Sequence, residues 1–348
     1  MNTKLFLIII AIFSLLCWSE SHAVQIDKES SAKLYLTNIY FVDNVNGWVL
    51  GSSNGLSFIY RTTDGGESWS ESYRTKEGLF RIKFVNPQTG WCVGSDGTIL
   101  HTSNGGSSWE TQASESKALL TGFAVLDANT AWASGANGTI LFTRNGGKDW
   151  VAQKTNTNAG ISDIAFIDEK RGLAVGYGTI LSTKDGGNTW STKSSGDWKH
   201  LSSIAFADEK NGLITVGPVI LETSNGSKAY KEIIPSSQGQ IVGTKFLDAQ
   251  RGWVAKSRGV EGDVANVKEL EKLSSESFIL TTNDGGKNWR EMLHIKSDKD
   301  HSAWILSVFF VDSLKGWAVG RDGLALKTQD GGRSWEKMPL PPDIKLHK

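Results

Sequence analysis

A chain of 348 residues with 37 basic and 37 acidic side chains has no formal net charge, so its global field draws in neither nucleic acid nor an anionic membrane. Any charged partner must be met by a local patch. Thirty-eight glycines and fourteen tryptophans against six prolines describe a turn-rich, aromatic-cored globular protein, with no long stretch polar enough to be disordered.

Residues 1–23, MNTKLFLIIIAIFSLLCWSESHA, open with Lys4, run apolar from Leu5 to about Trp18 and end on Ser21-His22-Ala23, with small residues at the two positions a signal peptidase reads. The expectation is a cleaved secretory signal and a mature chain, 24–348, that is secreted or periplasmic. The apolar run falls short of the ~20 residues a spanning helix needs, so the chain is not expected to span a membrane. Leu16 stands where a small residue precedes a lipidated cysteine, which argues against a lipid on Cys17. Cys92 is then the one mature cysteine; it excludes an intrachain disulfide and, within GWCVG, reads as a small buried hydrophobe.

From Leu34 onward one unit recurs. Its most regular part reads TTDGGESW (62–69), TSNGGSSW (102–109), TRNGGKDW (143–150), TKDGGNTW (183–190), TSNGSKAY (223–230), TNDGGKNW (282–289) and TQDGGRSW (328–335). The closing aromatics are spaced near the 40–45 residues of four-stranded propeller blades, which predicts an all-β, seven-bladed β-propeller of antiparallel blades in a single domain. In blade 3 the pattern places strands at 121–126, 130–135, 139–143 and 149–154. The acid or amide of each turn (Asp64, Asn104, Asn145, Asp185, Asn225, Asp284, Asp330) is expected to accept backbone N–H bonds two residues on, and the glycines to take positive φ. Trp48, Trp91, Trp132, Trp253 and Trp317 start strand 2 of their blades, with Leu173 and Leu213 substituting. Asparagine in three of the seven turns would weaken a general acid or a hard-cation site, so the turn reads as structural, with neither metal nor cofactor expected.

Blade 1 is expected to begin at Leu34–Asp43 and blade 7 to end on its own WEKMPL (335–340), leaving no interlocking strand. The 1→2 and 3→4 turns share one face; the 2→3 turns and 4→1 connections share the other, which holds nearly every departure from the repeat. There blade 6 carries an insert at about 256–277, where Val264, Val267, Leu270 and Leu273 recur every third residue, as in a short amphipathic helix. Two tryptophans outside the repeat fall in 4→1 connections, GDWKHLSS (196–203) and DKDHSAWILS (298–307). Trp198, Lys199, His200, His301 and Trp304 are therefore candidates for an aromatic, basic patch that recognises protein or glycan, the alternative being that both rings plug gaps between blades. No ligand spacing supports metal at His200 and His301.

The turns resemble the Asp-box, or bacterial neuraminidase repeat, and the full unit G-W-x-x-G-x-x-G-x-I-L-x-T-x-D-G-G-x-x-W most resembles the photosystem II assembly and stability factor family over 35–340. The resemblance implies a non-enzymatic propeller, exported to a thylakoid lumen or periplasm, that escorts a newly made membrane-protein subunit as its protein client. No binding residue is carried over from it. Sialidases share Asp-boxes, and Phe80-Arg81-Ile82-Lys83 matches three letters of their Phe-Arg-Ile-Pro, which makes Arg81 a candidate in a glycan-cleaving alternative. That mechanism needs arginines gathered at the channel mouth for bidentate carboxylate bonds, whereas Arg61, Arg144, Arg171, Arg251 and Arg333 occupy places the repeat accounts for.

Overall fold

The computed structural model describes residues 34–340 apart from 196–197, 207–211, 224–229, 234–238, 260–274 and 299–301; the side chains at 194, 230 and 231 are likewise outside it. The expected signal segment, Asn225, His301 and the expected helix of the blade 6 insert lie outside the described residues.

Seven antiparallel sheets of four strands each take their strands in chain order, giving the seven-bladed propeller. The inner strands are Tyr35–Phe41, Leu79–Phe84, Leu120–Val125, Ile161–Phe166, Leu201–Phe206, Gln240–Phe246 and Ile305–Phe310, and each packs against its neighbours around the axis. All seven carry a register shift near their start, as between Leu79 and Arg81 or Ile305 and Ser307. One extra residue there bends the strand and sharpens its twist. Beyond the shift, inner-strand N–H groups are met by the next-door blade: Ile82 N donates to Asn38 Oδ1 (3.3 Å) and Ile204 N to Asp163 Oδ2 (3.1 Å).

In blade 3 the strands run Leu120–Val125, Ala131–Gly135, Ile140–Thr143 and Val151–Ala152, so the outer strand is much shorter than the 149–154 the sequence suggested. Pairing stops because the chain leaves the edge after Gln153 and Thr155 turns its hydroxyl onto Gly138 O (2.8 Å). The blade 6 insert is also narrower than 256–277. Strands Gly252–Gly259 and Ser275–Thr282 continue the ladder through Lys256↔Phe278, Ser257↔Ser277 and Arg258↔Glu276. Cross-strand partners support this extension: the Ser257 and Ser277 hydroxyls lie 2.6 Å apart and Arg258 reaches Glu276 at 2.5 Å.

Blades are joined by a repeated aromatic sandwich. The Trp that starts strand 2 stacks on the Phe that ends the next blade's inner strand: Trp48 on Phe84 (centroids 3.4 Å), Trp132 on Phe166 (3.6 Å), Trp253 on Phe310 (4.0 Å) and, across the ring seam, Trp317 on Phe41 (3.6 Å). The Trp closing the Asp-box meets the same Phe edge-on, as Trp190 meets Phe166 and Trp335 meets Phe310. Stacked and edge-to-face pairs are each worth about 0.5–1.5 kcal/mol beyond their area. The Phe ring also lies over the Gly that precedes the strand-2 Trp: a Cβ at Gly90 would sit 2.5 Å from Phe84 Cγ, and one at Gly316 2.5 Å from Phe310 Cδ1. Blade 7 is completed by Glu336–Lys337 and meets blade 1 through this stack, a Tyr35–Arg321 bridge and Ile39 N on Ser307 Oγ (3.4 Å), with no strand exchanged among the described residues.

Candidate functional site

In each described Asp-box the carboxyl or amide oxygen Oδ1 accepts the backbone N–H four residues on, not two: Ser68 N on Asp64, Ser108 N on Asn104 and Asn288 N on Asp284, all at 2.9 Å. The two-residue reach is ruled out because the second glycine's N–H is taken by the threonine that opens the box, as Gly106 N is by Thr102 Oγ1 (2.8 Å). Both glycines of each pair have positive φ, as at Gly105 (70°) and Gly106 (82°). The remaining side-chain atom chooses its partner by chemistry. Aspartate accepts, from Ser68 (2.5 Å), Thr189 (2.6 Å) or Ser334 (2.7 Å), whereas Asn145 Nδ2 donates to Asp149 Oδ2 (2.7 Å). The N–H bonds of Asn288 hold Asp284 down to about 2, and the Ser334 hydroxyl and N–H do the same for Asp330. The acids are thus spent on their own turns. The carbonyls are spent on the neighbouring blade: Trp48 Nε1 donates to Gly105 O (3.1 Å), Trp253 to Gly331 O (3.3 Å) and Trp317 to Gly65 O (3.0 Å).

On the opposite face the sequence candidates separate into two places. Trp198 is half-buried and leans on the core between blades 4 and 5, beside Leu173, Leu201 and Val216. Lys199 is exposed, and the half-buried His200 pairs with Tyr177, whose exposed ring meets it edge-on at 4.9 Å. Partial burial, then the charge of Lys199, holds the His200 imidazole below its usual value, so Lys199 supplies the positive charge here at neutral pH. At the junction of blades 6 and 7, Trp304 is half-buried under the Arg321 guanidinium, 4.7 Å from the ring centroid. Arg321 Nε is buried with no hydrogen-bond partner, and desolvation lowers the group's affinity for its proton against the pull of Tyr35 and Asp322. The sequence pointed to neither Arg321 nor Tyr177, because each stands in a 2→3 turn whose neighbour is set only by blade packing.

Arg81 lies on the inner strand of blade 2, its Nε donating to Thr121 O of blade 3 (3.3 Å). The other arginines stay apart from it. Arg171 and Arg251 pair with Asp168 and Asp248 of their own turns (2.6 and 2.7 Å), Arg61 bonds Ser107 (2.7 Å), and Arg251, Arg290 and Arg333 border a cleft of about 480 Å³ between blades 6 and 7 on the Asp-box face. Among the described residues no cluster of three His, Cys, Asp or Glu stands ready for a metal. Cys92 is fully buried.

Fold and boxes together define a seven-bladed Asp-box β-propeller. Within that class the chain belongs to the Photosynthesis system II assembly factor YCF48 family, which it matches over residues 16–117, 72–155, 148–244 and 270–346. It is similar to the chloroplastic photosystem II stability/assembly factor HCF136 of Oryza sativa subsp. japonica, 33% identical over 73 residues, which are 21% of this chain and 17% of that relative. Among solved structures it resembles YCF48 bound to D1 peptide (TM-score 0.64, 18% identity, 89% of this chain and 96% of that one). It also resembles the GH74 enzyme of Niastella koreensis (TM-score 0.64, 12% identity, 88% of this chain and 54% of that one). At these identities the likeness to the solved structures concerns the fold alone.

Proposed function

We propose that this chain is an exported, non-enzymatic propeller that holds a segment of a protein client, a membrane-protein subunit, during its assembly. The observation that carries the reading is membership of the assembly-factor family, to which the solved relative bound to D1 peptide adds a peptide-holding precedent on the same fold. Export to a periplasm or beyond the cell rests on the signal-like residues 1–23. The Asp-box acids are engaged within their turns, which leaves the loop-rich face as the docking surface, with Trp304 under Arg321 and the exposed Lys199 beside Tyr177 as its anchors.

The test is capture of partners from the native envelope with a tagged chain. A reproducible membrane protein is expected, with retention falling at least about ten-fold in Trp304→Ala and on shortening 260–274, at an unchanged melting temperature. Trp198→Ala is expected to melt early, since that ring leans on the core between blades 4 and 5. Recovery of no reproducible protein, or undiminished capture by the Trp304 and 260–274 variants, would overturn the assignment. Turnover of fluorogenic glycosides that Arg81→Ala abolishes would replace it with the hydrolase reading.

A further inference from the structure

The residue that precedes the terminal position of each inner strand forms one layer around the axis. It lies opposite the strand-2 Trp or Leu in every blade: Tyr40↔Trp48, Lys83↔Trp91, Ala124↔Trp132, Ala165↔Leu173, Ala205↔Leu213, Lys245↔Trp253 and Phe309↔Trp317. Blades 3 to 5 contribute only the methyl groups of Ala124, Ala165 and Ala205 to that layer. On the other side, contacts run in an unbroken arc. Lys245 Nζ lies 4.7 Å from the centroid of Phe309, that ring lies 4.9 Å from Tyr40, and the Tyr40 hydroxyl donates to Phe84 O (2.8 Å), beside Lys83. Lys83, Tyr40, Lys245 and Phe309 are all partly open to solvent.

The inner strands carry four charged side chains in all, Arg81, Lys83, Lys245 and Asp163. Asp163 does not neutralise the cations by contact. Its Oδ1 accepts Ile164 N (2.9 Å), and its Oδ2 accepts Ser203 Oγ and Ile204 N (both 3.1 Å). Neither lysine has a hydrogen bond or ion pair to any described residue. Desolvation lowers the Lys83 pKa, Asp163 opposes this, and the charges of Arg81 and Lys245 lower it further; burial alone lowers Lys245. A cluster of like charges in a confined space is costly unless an anion enters it.

We propose that the channel is a binding site for a small monocarboxylate with a flat apolar body, its anion held between Lys83 and Lys245 with Arg81 adding to the field, and its body against Tyr40 and Phe309. Ammonium groups and an aromatic wall at one level suit that ligand better than a bare, strongly hydrated phosphate. The site is separate from the loop-rich face and stands whether or not a protein client docks there.

The test is calorimetric titration of the purified chain with sodium benzoate, with sodium phosphate and sodium chloride as controls at matched ionic strength. Saturable binding of benzoate is expected, weakened about ten-fold or more in Lys83→Met and in Lys245→Met, because each removes a charge-assisted contact. Without ligand, both variants should melt at or above the parent temperature, as each removes the desolvation cost of a partly buried ammonium; this reading depends only on the fold and needs no ligand. No saturable heat with benzoate, equal binding by both lysine variants, tighter binding of phosphate, or a lower melting point in both variants would each overturn the proposal.

Discussion

Replacing Gly316 by Ala tests whether the aromatic sandwich, rather than the turn before it, demands glycine at the start of strand 2. The added Cβ would lie 2.5 Å from Phe310 Cδ1 and 2.6 Å from its Cζ, about 1 Å inside an ordinary contact. The ring cannot back away, because Trp253 is stacked on it at 4.0 Å and Trp335 meets it edge-on at 6.0 Å. Overpacking of this kind costs about 1–3 kcal/mol, which in a domain of this size lowers the melting temperature by several degrees. Gly160 is the internal control: a Cβ there meets nothing within 4 Å and its φ is not positive, so Gly160→Ala should be neutral or stabilising by up to about 1 kcal/mol. Thermal denaturation of the two variants, with a double-mutant cycle through Phe310→Leu, reads the effect; Gly316→Ala should cost less once the ring is gone. Equal melting of Gly316→Ala and Gly160→Ala, or strict additivity with Phe310→Leu, would refute the reasoning.

Acid should loosen the boxes that carry aspartate. Folded-state values near 2 for Asp284 and Asp330 lie below those of an unfolded chain, so the stability they contribute is present above the ordinary carboxylate range and is lost as pH falls toward 2. Urea unfolding between pH 5 and pH 2 should therefore show a shallower loss in the Asp284→Asn, Asp330→Asn double variant than in the parent. Asn145→Asp should act in the opposite sense at neutral pH, placing a second carboxylate where Nδ2 now donates to Asp149 at 2.7 Å; a cost of about 1 kcal/mol at pH 7 is expected, shrinking at pH 3 as the pair protonates. At the lengthened blade 6 hairpin, Glu276→Gln should weaken the hold on Arg258 (2.5 Å) and Lys296 (3.1 Å), and hydrogen exchange should quicken at Arg258 and Gly259 while the strand centre at Val254 is unchanged.

Much of this architecture is local and was therefore legible in the chain itself. The DGG turn, the glycines that take positive φ and the alternating strands are short-range consequences of residue type, and their sevenfold return counts the blades without any coordinates. Tryptophans 48, 132, 253 and 317 were readable as strand-2 positions for the same reason. What they stack on was not, since the partner Phe belongs to another blade and the two meet only when the ring closes, across the whole chain in the case of Trp317 and Phe41. The glycines before Trp48, Trp253 and Trp317 look like turn residues in sequence, yet it is the ring above each that excludes a Cβ. The box oxygens reach four residues rather than two because the threonine two positions earlier has already taken the nearer N–H, a competition that spacing alone cannot rank. The loop-rich face behaves likewise: Trp304 stood out by composition, whereas Arg321 above it was chosen by the packing of a neighbouring turn. Lys83 and Lys245 pass in sequence for ordinary strand residues of distant repeats, and only the closure of seven inner strands around one axis sets them in a single layer of the channel, where their charges must be answered together.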